Sequence, residues 1–158
     1  MKNTLVALLF VFPILTGAAC DQDTLDPSGE DLSSTMENTD PMHDTLVIEI
    51  GDQEFTAPLL DNPTATAFKA MLPLTINMME LNGNEKYFRL PKNLPTNESN
   101  PGRINSGDLM LYGSNTFVIF YKAFSTTYNY TKLGKINNTT GLATALGTGN
   151  VAVSISLK

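Results

Sequence analysis

From Thr45 to the end of the chain, apolar and polar residues alternate in short stretches with a period of two. This alternation is typical of half-buried β-strands. Residues 117–121 are apolar at every position, so both faces of that strand must be covered. Turns rich in Gly, Asn and Pro separate eight predicted strands, which are 45–50, 54–59, 74–81, 86–90, 108–113, 116–123, 131–136 and 151–157.

Helical signals are few. Asn62 suits an N-cap and Pro63 the first helical position, and apolar residues recur at helical spacing until Pro73, which predicts a helix over 62–72. A helical turn is predicted over 141–146. Many short strands without a βαβ rhythm favour a mainly β fold, a closed eight-stranded antiparallel barrel with one or two short capping helices.

The segment 91–106 is rich in Pro and Asn and is long for a loop. We interpret it as too polar for a core, and therefore as either functional or mobile. Glu80 and Glu85 flank the preceding turn at 82–84, where we expect a solvated hairpin end.

The first twenty residues have the pattern of an export signal. Lys2 precedes an apolar stretch from 5 to 15, and small residues at 17–19 lead directly to Cys20, the only cysteine. This pattern predicts a signal peptide over 1–19. The apolar stretch is too short to span a bilayer as a helix. The small residues before Cys20 resemble a bacterial lipobox, which implies that Cys20 carries a lipid and becomes the new N-terminus; the alternative is an ordinary secretory signal.

Residues 21–44 contain eight acidic residues and no Lys or Arg. Such a segment has too few apolar groups to offset chain entropy, so we expect a disordered tether over 20–44 and a folded domain over 45–158. Acidic residues after a lipidated cysteine resemble a signal for display on the outer surface of the outer membrane. A plain linker that faces the periplasm is the alternative, and both place the protein in the bacterial cell envelope.

Composition excludes several kinds of site. One Cys and one His cannot form a closed zinc site, and a lone cysteine cannot form a disulfide within the chain. The net charge of −6 and the lack of a basic tract disfavour nucleic-acid binding. The sequence therefore predicts no metal, no cofactor and no nucleic-acid partner. We expect a monomer attached to a membrane through Cys20.

Three stretches of the folded domain carry a family resemblance. They are NPTATAFKAML (62–72), NSGDLMLYGSNTFVIFY (105–121) and YTKLGKI (130–136). Together with the order of the strands, they resemble the small bacterial cyclophilin-like domains over nearly all of 45–158. The resemblance implies an eight-stranded barrel capped by two helices. It also implies peptidyl-prolyl cis/trans isomerase activity, although the fold carries over better than the function.

An isomerase needs a hydrogen-bond donor aimed at the prolyl nitrogen, beside an apolar pocket that grips the ring. Arginine is the usual donor in cyclophilins, and Arg89 lies in a run from 87 to 91 that resembles their Phe-His-Arg motif without its histidine. The alternative is that Arg89 is an ordinary exposed strand residue. By the same resemblance the apolar wall consists of residues that are otherwise barrel core, namely Phe88, Met110, Tyr112, Phe117, Ile119, Tyr121 and Phe124.

Phe124, Tyr128 and Tyr130 concentrate aromatic rings in one connection, which either folds back over the barrel mouth or forms a binding lip. The sequence therefore leaves two functions open. The first is a membrane-anchored protein that binds proline-containing peptide or protein segments and isomerises X-Pro bonds of exported proteins. The second is a non-catalytic surface module that binds a small molecule, a glycan or a partner protein.

Overall fold

The computed structural model of the chain describes residues 44–158. The predictions for the signal peptide, for Cys20 and for the rest of the tether up to residue 43 lie outside the described residues. Asp44, the last residue of the predicted tether, is joined to the fold, because its carbonyl oxygen accepts a hydrogen bond from the amide of Leu59 at 2.8 Å.

Eight strands form one antiparallel sheet, in the spatial order β2-β1-β10-β3-β4-β7-β6-β9, and β5 pairs with β8 in a separate two-stranded sheet. Within residues 44–158 the elements follow in the order β1 (Thr45–Ile50), β2 (Gln53–Pro58), α1 (Pro63–Lys69), β3 (Leu74–Leu81), β4 (Glu85–Arg89), β5 (Arg103–Ile104), β6 (Asp108–Tyr112), β7 (Thr116–Phe120), β8 (Phe124–Ser125), β9 (Thr131–Lys135), α2 (Leu142–Leu146) and β10 (Val151–Leu157).

The two edge strands of the large sheet, β2 and β9, approach one another and nearly close it into a barrel. Leu59 and Gly134 form an antiparallel bridge, and the amide of Leu60 donates to the carbonyl oxygen of Leu133 at 2.8 Å. Asn137 continues this seam by donating its amide to Thr56 at 2.9 Å. The predicted mainly β fold, an eight-stranded antiparallel barrel with one or two short helices, is confirmed, with the sheet nearly closed and two short helices present.

Strand β7 is buried on both faces, as its sequence predicts. Phe117 and Ile119 point into the barrel, whereas Val118 and Phe120 point outward, and none of the four is more than 2% exposed. The outward pair packs with Ile104, Met110 and Tyr130 in a second apolar cluster, with Tyr87 and Phe124 at its margin. The domain therefore has a core inside the barrel and a smaller one on its outer face.

Helix α1 begins as predicted but is shorter. The side chain of Asn62 accepts a hydrogen bond from the amide of Ala65 at 2.8 Å, and Phe68 packs on Phe117 with ring centroids 4.8 Å apart. The α-helix ends at Lys69, and the chain continues in tighter turns, in which the amides of Met71 and Leu72 bond the carbonyl oxygens three residues back. Because Pro73 disfavours the helical conformation of the residue before it, the predicted helix to residue 72 is not completed.

The prediction that residues 91–106 are too polar for a core is wrong. We call this segment the strap. Leu94 is 5% and Ile104 0% exposed, and the strap contains β5, which pairs with the equally unpredicted β8. Backbone hydrogen bonds fix it, from Leu94 to Ser114 at 2.7 Å and between Ser99 and Tyr130 at 3.0 Å. A few well-spaced apolar residues are enough to anchor an otherwise polar segment.

The seam between β2 and β9 generates a stability prediction. A Cβ atom on Gly134 would lie 2.5 Å from the carbonyl oxygen of Pro58, which is backbone and cannot easily move. We expect Gly134→Ala to lower the free energy of unfolding by about 1–3 kcal/mol, measured by urea denaturation of the full chain.

Gly149→Ala is the matched control. A Cβ there meets no atom within 4 Å, so this substitution should change stability by less than about 0.5 kcal/mol. Equal stability of the two variants would contradict a tight seam.

Candidate functional site

A groove with a volume of about 620 Å³ runs over the outer face of β4, β7 and β6. Its floor comes from these strands, and its rim comes from the turn at 81–84 and from the connection that follows β8. The lining residues are Leu81, Asn82, Asn84, Glu85, Tyr87, Arg89, Tyr112, Thr116, Val118, Phe124, Ser125, Thr126, Thr127, Tyr128 and Tyr130.

One end of the groove is formed by a row of three residues on adjacent strands. Arg89 pairs with Thr116, and Thr116 pairs with Tyr112. Since neighbouring strands lie about 4.8 Å apart, the backbones of Arg89 and Tyr112 are separated by roughly 10 Å across the small Thr116. Arg89 is exposed and lines the groove. Its guanidinium is therefore available to a ligand that lies along this row.

The aromatic residues of the groove form a connected set on the outer face. The ring of Tyr112 lies 6.0 Å from Tyr128 and 5.6 Å from Tyr130, and Phe120 lies 5.5 Å from Tyr130 and 5.8 Å from Phe124. Tyr128 is 61% and Tyr112 46% exposed, whereas Tyr130 is only 6% exposed. Tyr130 thus anchors the connection, and Tyr112 with Tyr128 forms an accessible lip.

The structure brings together three of the residues predicted for the site, namely Arg89, Tyr112 and Phe124. The other five do not line the groove. Phe88, Phe117, Ile119 and Tyr121 pack with the core inside the barrel, and Met110, 2% exposed, belongs to the outer cluster.

The separation follows from strand register. Tyr112 pairs with Thr116 and Met110 with Val118, so the even positions of β6 share a face with the even positions of β7. Phe117 and Ile119, at odd positions, therefore face the opposite side from Met110 and Tyr112. The predicted apolar wall is divided between the two faces of one sheet.

Tyr121 belongs to a polar cluster inside the barrel. Its hydroxyl donates to Glu80 at 2.8 Å, and the buried Lys86 pairs with the same carboxylate. The Lys86 ammonium also donates to the carbonyl oxygens of Gly147 at 3.0 Å and Gly149 at 2.6 Å. Burial, followed by the Glu80 carboxylate, raises the pKa of Tyr121 to about 12. This cluster fastens the segment after α2 to the barrel and lies on the opposite face of the sheet from the groove.

Glu85 is a groove residue that sequence reasoning missed. The expected solvated hairpin end is wrong for this residue, which is 8% exposed and has the apolar Leu81 and Phe120 as cross-strand neighbours. Burial, and secondarily the Glu80 carboxylate, raises the pKa of Glu85 to about 7. The available signal was its alternation with Tyr87 and Arg89, which places all three on one face of β4.

Two further observations concern metals and membranes. Among residues 44–158, no group of three or more His, Cys, Asp or Glu side chains has the arrangement needed to hold a metal ion. In the same part of the chain, no helix is long and apolar enough to cross a bilayer.

Comparison with protein-family models matches residues 48–156 to the cyclophilin-like family. The chain belongs to the cyclophilin-like family. The match spans the domain from β1 to β10 and therefore includes the groove. Searches of curated proteins and of solved structures found no match. Because one fold supports many activities, the function of this cyclophilin-like domain must be argued from its groove.

The buried Glu85 generates a prediction about stability and pH. Its pKa rises from 4.5 to about 7 on folding, so between these values the folded state binds more protons than the unfolded state. Stability must then fall as pH rises through this window, by at most about 3 kcal/mol. We expect Glu85→Gln to remove most of this fall, measured by urea denaturation of the full chain at several pH values. An unchanged slope in the variant would contradict the raised pKa.

Proposed function

We propose that this cyclophilin-like protein binds extended, proline-containing peptide segments in the outer groove and isomerises their X-Pro bonds. The observation that carries the proposal is the row at one end of the groove, in which the exposed Arg89 and the exposed Tyr112 flank the small Thr116. This row offers a cationic donor and an aromatic surface to the same ligand, and it is open to solvent.

The chemistry of isomerisation requires such a donor. The barrier to rotation about an amide is about 18–20 kcal/mol, because resonance gives the C–N bond double-bond character. A hydrogen bond to the prolyl nitrogen is strongest in the twisted state, where that nitrogen holds its lone pair, so it stabilises the transition state selectively. Arg89 is the groove's arginine, and its guanidinium presents donors in a fixed plane.

The same end of the groove offers a surface for the proline ring. Val118 lies in the floor two residues along β7 from Thr116, and the ring of Tyr128 lies 6.0 Å from that of Tyr112; Phe124 lines the groove further along, against Phe120. A proline ring that packs between aromatic side chains buries apolar surface and loses little conformational entropy. In this proposal Arg89 carries the catalytic role, and Phe124, Tyr112 and Tyr128 hold the substrate.

A second candidate function is a non-catalytic binding module on the cell surface. It is favoured by the lip, since Tyr112 and Tyr128 are among the most exposed large apolar side chains of the described domain. Exposed aromatic pairs of this kind also suit flat ligands such as glycans or small molecules. The two candidates differ in their dependence on Arg89.

Substitution of Arg89 tests the isomerase proposal. We expect the full chain to produce cis/trans exchange cross-peaks in a short Ala-Pro peptide on sub-second mixing times, whereas uncatalysed exchange takes tens to hundreds of seconds. Arg89→Ala should lower the catalysed exchange rate roughly 100-fold, because it removes the donor to the transition state. The measurement is exchange NMR spectroscopy of the peptide.

Arg103→Ala is the matched control, since Arg103 is the chain's other arginine, is exposed, and does not line the groove. It should leave the rate unchanged. Binding without exchange, weakened by Tyr128→Ala and not by Arg89→Ala, would favour the binding module. If the peptide shows no catalysed exchange and the protein's resonances do not shift, the peptide proposal is overturned. Tyr130→Ala is unsuitable here, because that side chain is buried.

We further propose that the protein is anchored in the bacterial cell envelope through a lipid on Cys20, with residues 20–43 as the tether. The support is the order of a basic residue, an apolar stretch, small residues and the single cysteine. Anchored in this way, the groove would meet exported polypeptides before or during their folding.

Lipid labelling tests the anchor. In a bacterial host supplied with labelled palmitate, we expect the wild-type protein to carry label and to sediment with membranes. Cys20→Ser should lose the label, because the chain has no other cysteine. Wild-type protein that is exported without label would show that residues 1–19 are an ordinary secretory signal.

A further inference from the structure

The end of the groove opposite Arg89 contains a carboxyl group without a partner. Glu85 lines the groove and is 8% exposed. Within residues 44–158 its carboxyl accepts no hydrogen bond and forms no ion pair. A carboxylate in this situation is expensive, because it has lost most of its hydration without gaining a counter-charge.

The apolar surroundings of Glu85 make the ionised form of its carboxyl group still less favourable. Its cross-strand neighbours on the outer face are Leu81 and Phe120, and the aromatic Tyr87 and Tyr130 line the same stretch of groove. The contrast with the next residue is informative. Lys86 is fully buried in the barrel, and its ammonium is satisfied by one carboxylate and two carbonyl oxygens.

A second unsatisfied acceptor lies on the same wall. The side-chain oxygen of Asn84 is buried and has no hydrogen-bond donor in the described part of the chain. Asn84 also lines the groove, one residue before Glu85. Two adjacent acceptors without donors are uncommon in a folded protein, where buried polar atoms are nearly always paired.

We propose that this end of the groove is a cation subsite, in which Glu85 receives the ammonium group of a lysine side chain of the bound peptide. This inference rests on the proposed function of the groove. An ammonium group supplies the counter-charge and the hydrogen-bond donors that Glu85 lacks. Tyr87 and Tyr130 line the same groove, and aromatic rings near a bound ammonium add cation–π attraction, which is largest where water is excluded.

The length of β4 sets the spacing between lysine and proline. Glu85 and Arg89 are four residues apart on one face, which corresponds to about 13 Å along a strand. A peptide that lies extended in the groove covers this distance in about four residues, and the long lysine side chain shortens the requirement. We therefore expect the lysine two to four residues from the proline, on the side that the peptide's direction determines.

The subsite depends on the ionisation of Glu85, whose pKa is raised to about 7 by burial and by Glu80. The other charged or titratable groups around it are engaged elsewhere or stay neutral. Lys86 pairs with Glu80, and the Lys122 ammonium lies 5.7 Å from the ring of Tyr121. Burial, and secondarily Glu85 itself, raises the pKa of Tyr130. The lysine preference must therefore be strong above pH 8 and weak below pH 6.

The test measures the affinities of four blocked peptides of Gly and Ala with one central proline. Two carry lysine three residues before or after the proline, and two carry the uncharged norleucine at the same positions. At pH 8.5 we expect the better lysine peptide to bind the full-length protein at least about tenfold more tightly than its norleucine counterpart. At pH 5.5, and in Glu85→Gln at either pH, the preference should fall below about twofold.

Glu49→Gln is the matched control, because Glu49 is an exposed strand glutamate outside the groove and its loss changes the net charge equally. This variant should keep the full preference. Equal binding of lysine and norleucine peptides by wild type, or a preference that persists in Glu85→Gln, would overturn the subsite and leave the proposed function intact.

If none of the four peptides binds, the proposed function fails and the subsite is tested alone with n-butylammonium. A shift of the Glu85 carboxyl resonance in the wild-type protein, without a shift of the Glu49 carboxyl resonance, would still support a cation site. No shift in wild type would overturn it.

Discussion

The outward face of β7 is the constraint on which the rest of the structure depends. Because Val118 and Phe120 are apolar and point away from the barrel core, the chain must cover them with other segments. The strap contributes Ile104, and the connection after β8 contributes Tyr130. This cover ends before Thr116, whose side chain remains partly exposed. The groove runs along the margin of this cover, because Tyr130 and Phe124 line it, and it reaches the partly exposed Thr116 at one end.

Consecutive residues of β4 meet opposite electrostatic environments because a strand alternates its faces. Lys86 enters the barrel, where Glu80 and two carbonyl oxygens satisfy its charge. Glu85 faces the groove between apolar neighbours and stays unpaired within the described residues. A fully satisfied buried charge stabilises one arrangement of the chain, whereas an unsatisfied one at an open surface favours whichever ligand completes it.

The alternation of residues predicted most of the strands and the barrel, and the unbroken apolar run at 117–121 predicted the double burial of β7. Alternation could not predict β5 and β8, because a strand of two residues is too short to show an alternating pattern. The site was predicted only in part, since Tyr112 and Phe117 look equivalent in sequence. Their separation onto two faces depends on the pairing of Tyr112 with Thr116, a register that the turn at 113–115 determines. Burial of Glu85 likewise depends on neighbours from β3 and β7, which no local pattern reveals.

The inner polar cluster and the groove are coupled through Glu80. Its carboxylate holds Lys86 and Tyr121 inside the barrel, and the same negative charge adds to the burial that raises the pKa of Glu85. A cation that binds at Glu85 therefore acts on a carboxyl whose affinity for protons is already high, and it must compete with a proton near neutral pH. The Glu80 carboxylate, which holds Lys86 inside the barrel, thus also helps to set the pH range in which the groove can receive a positively charged ligand.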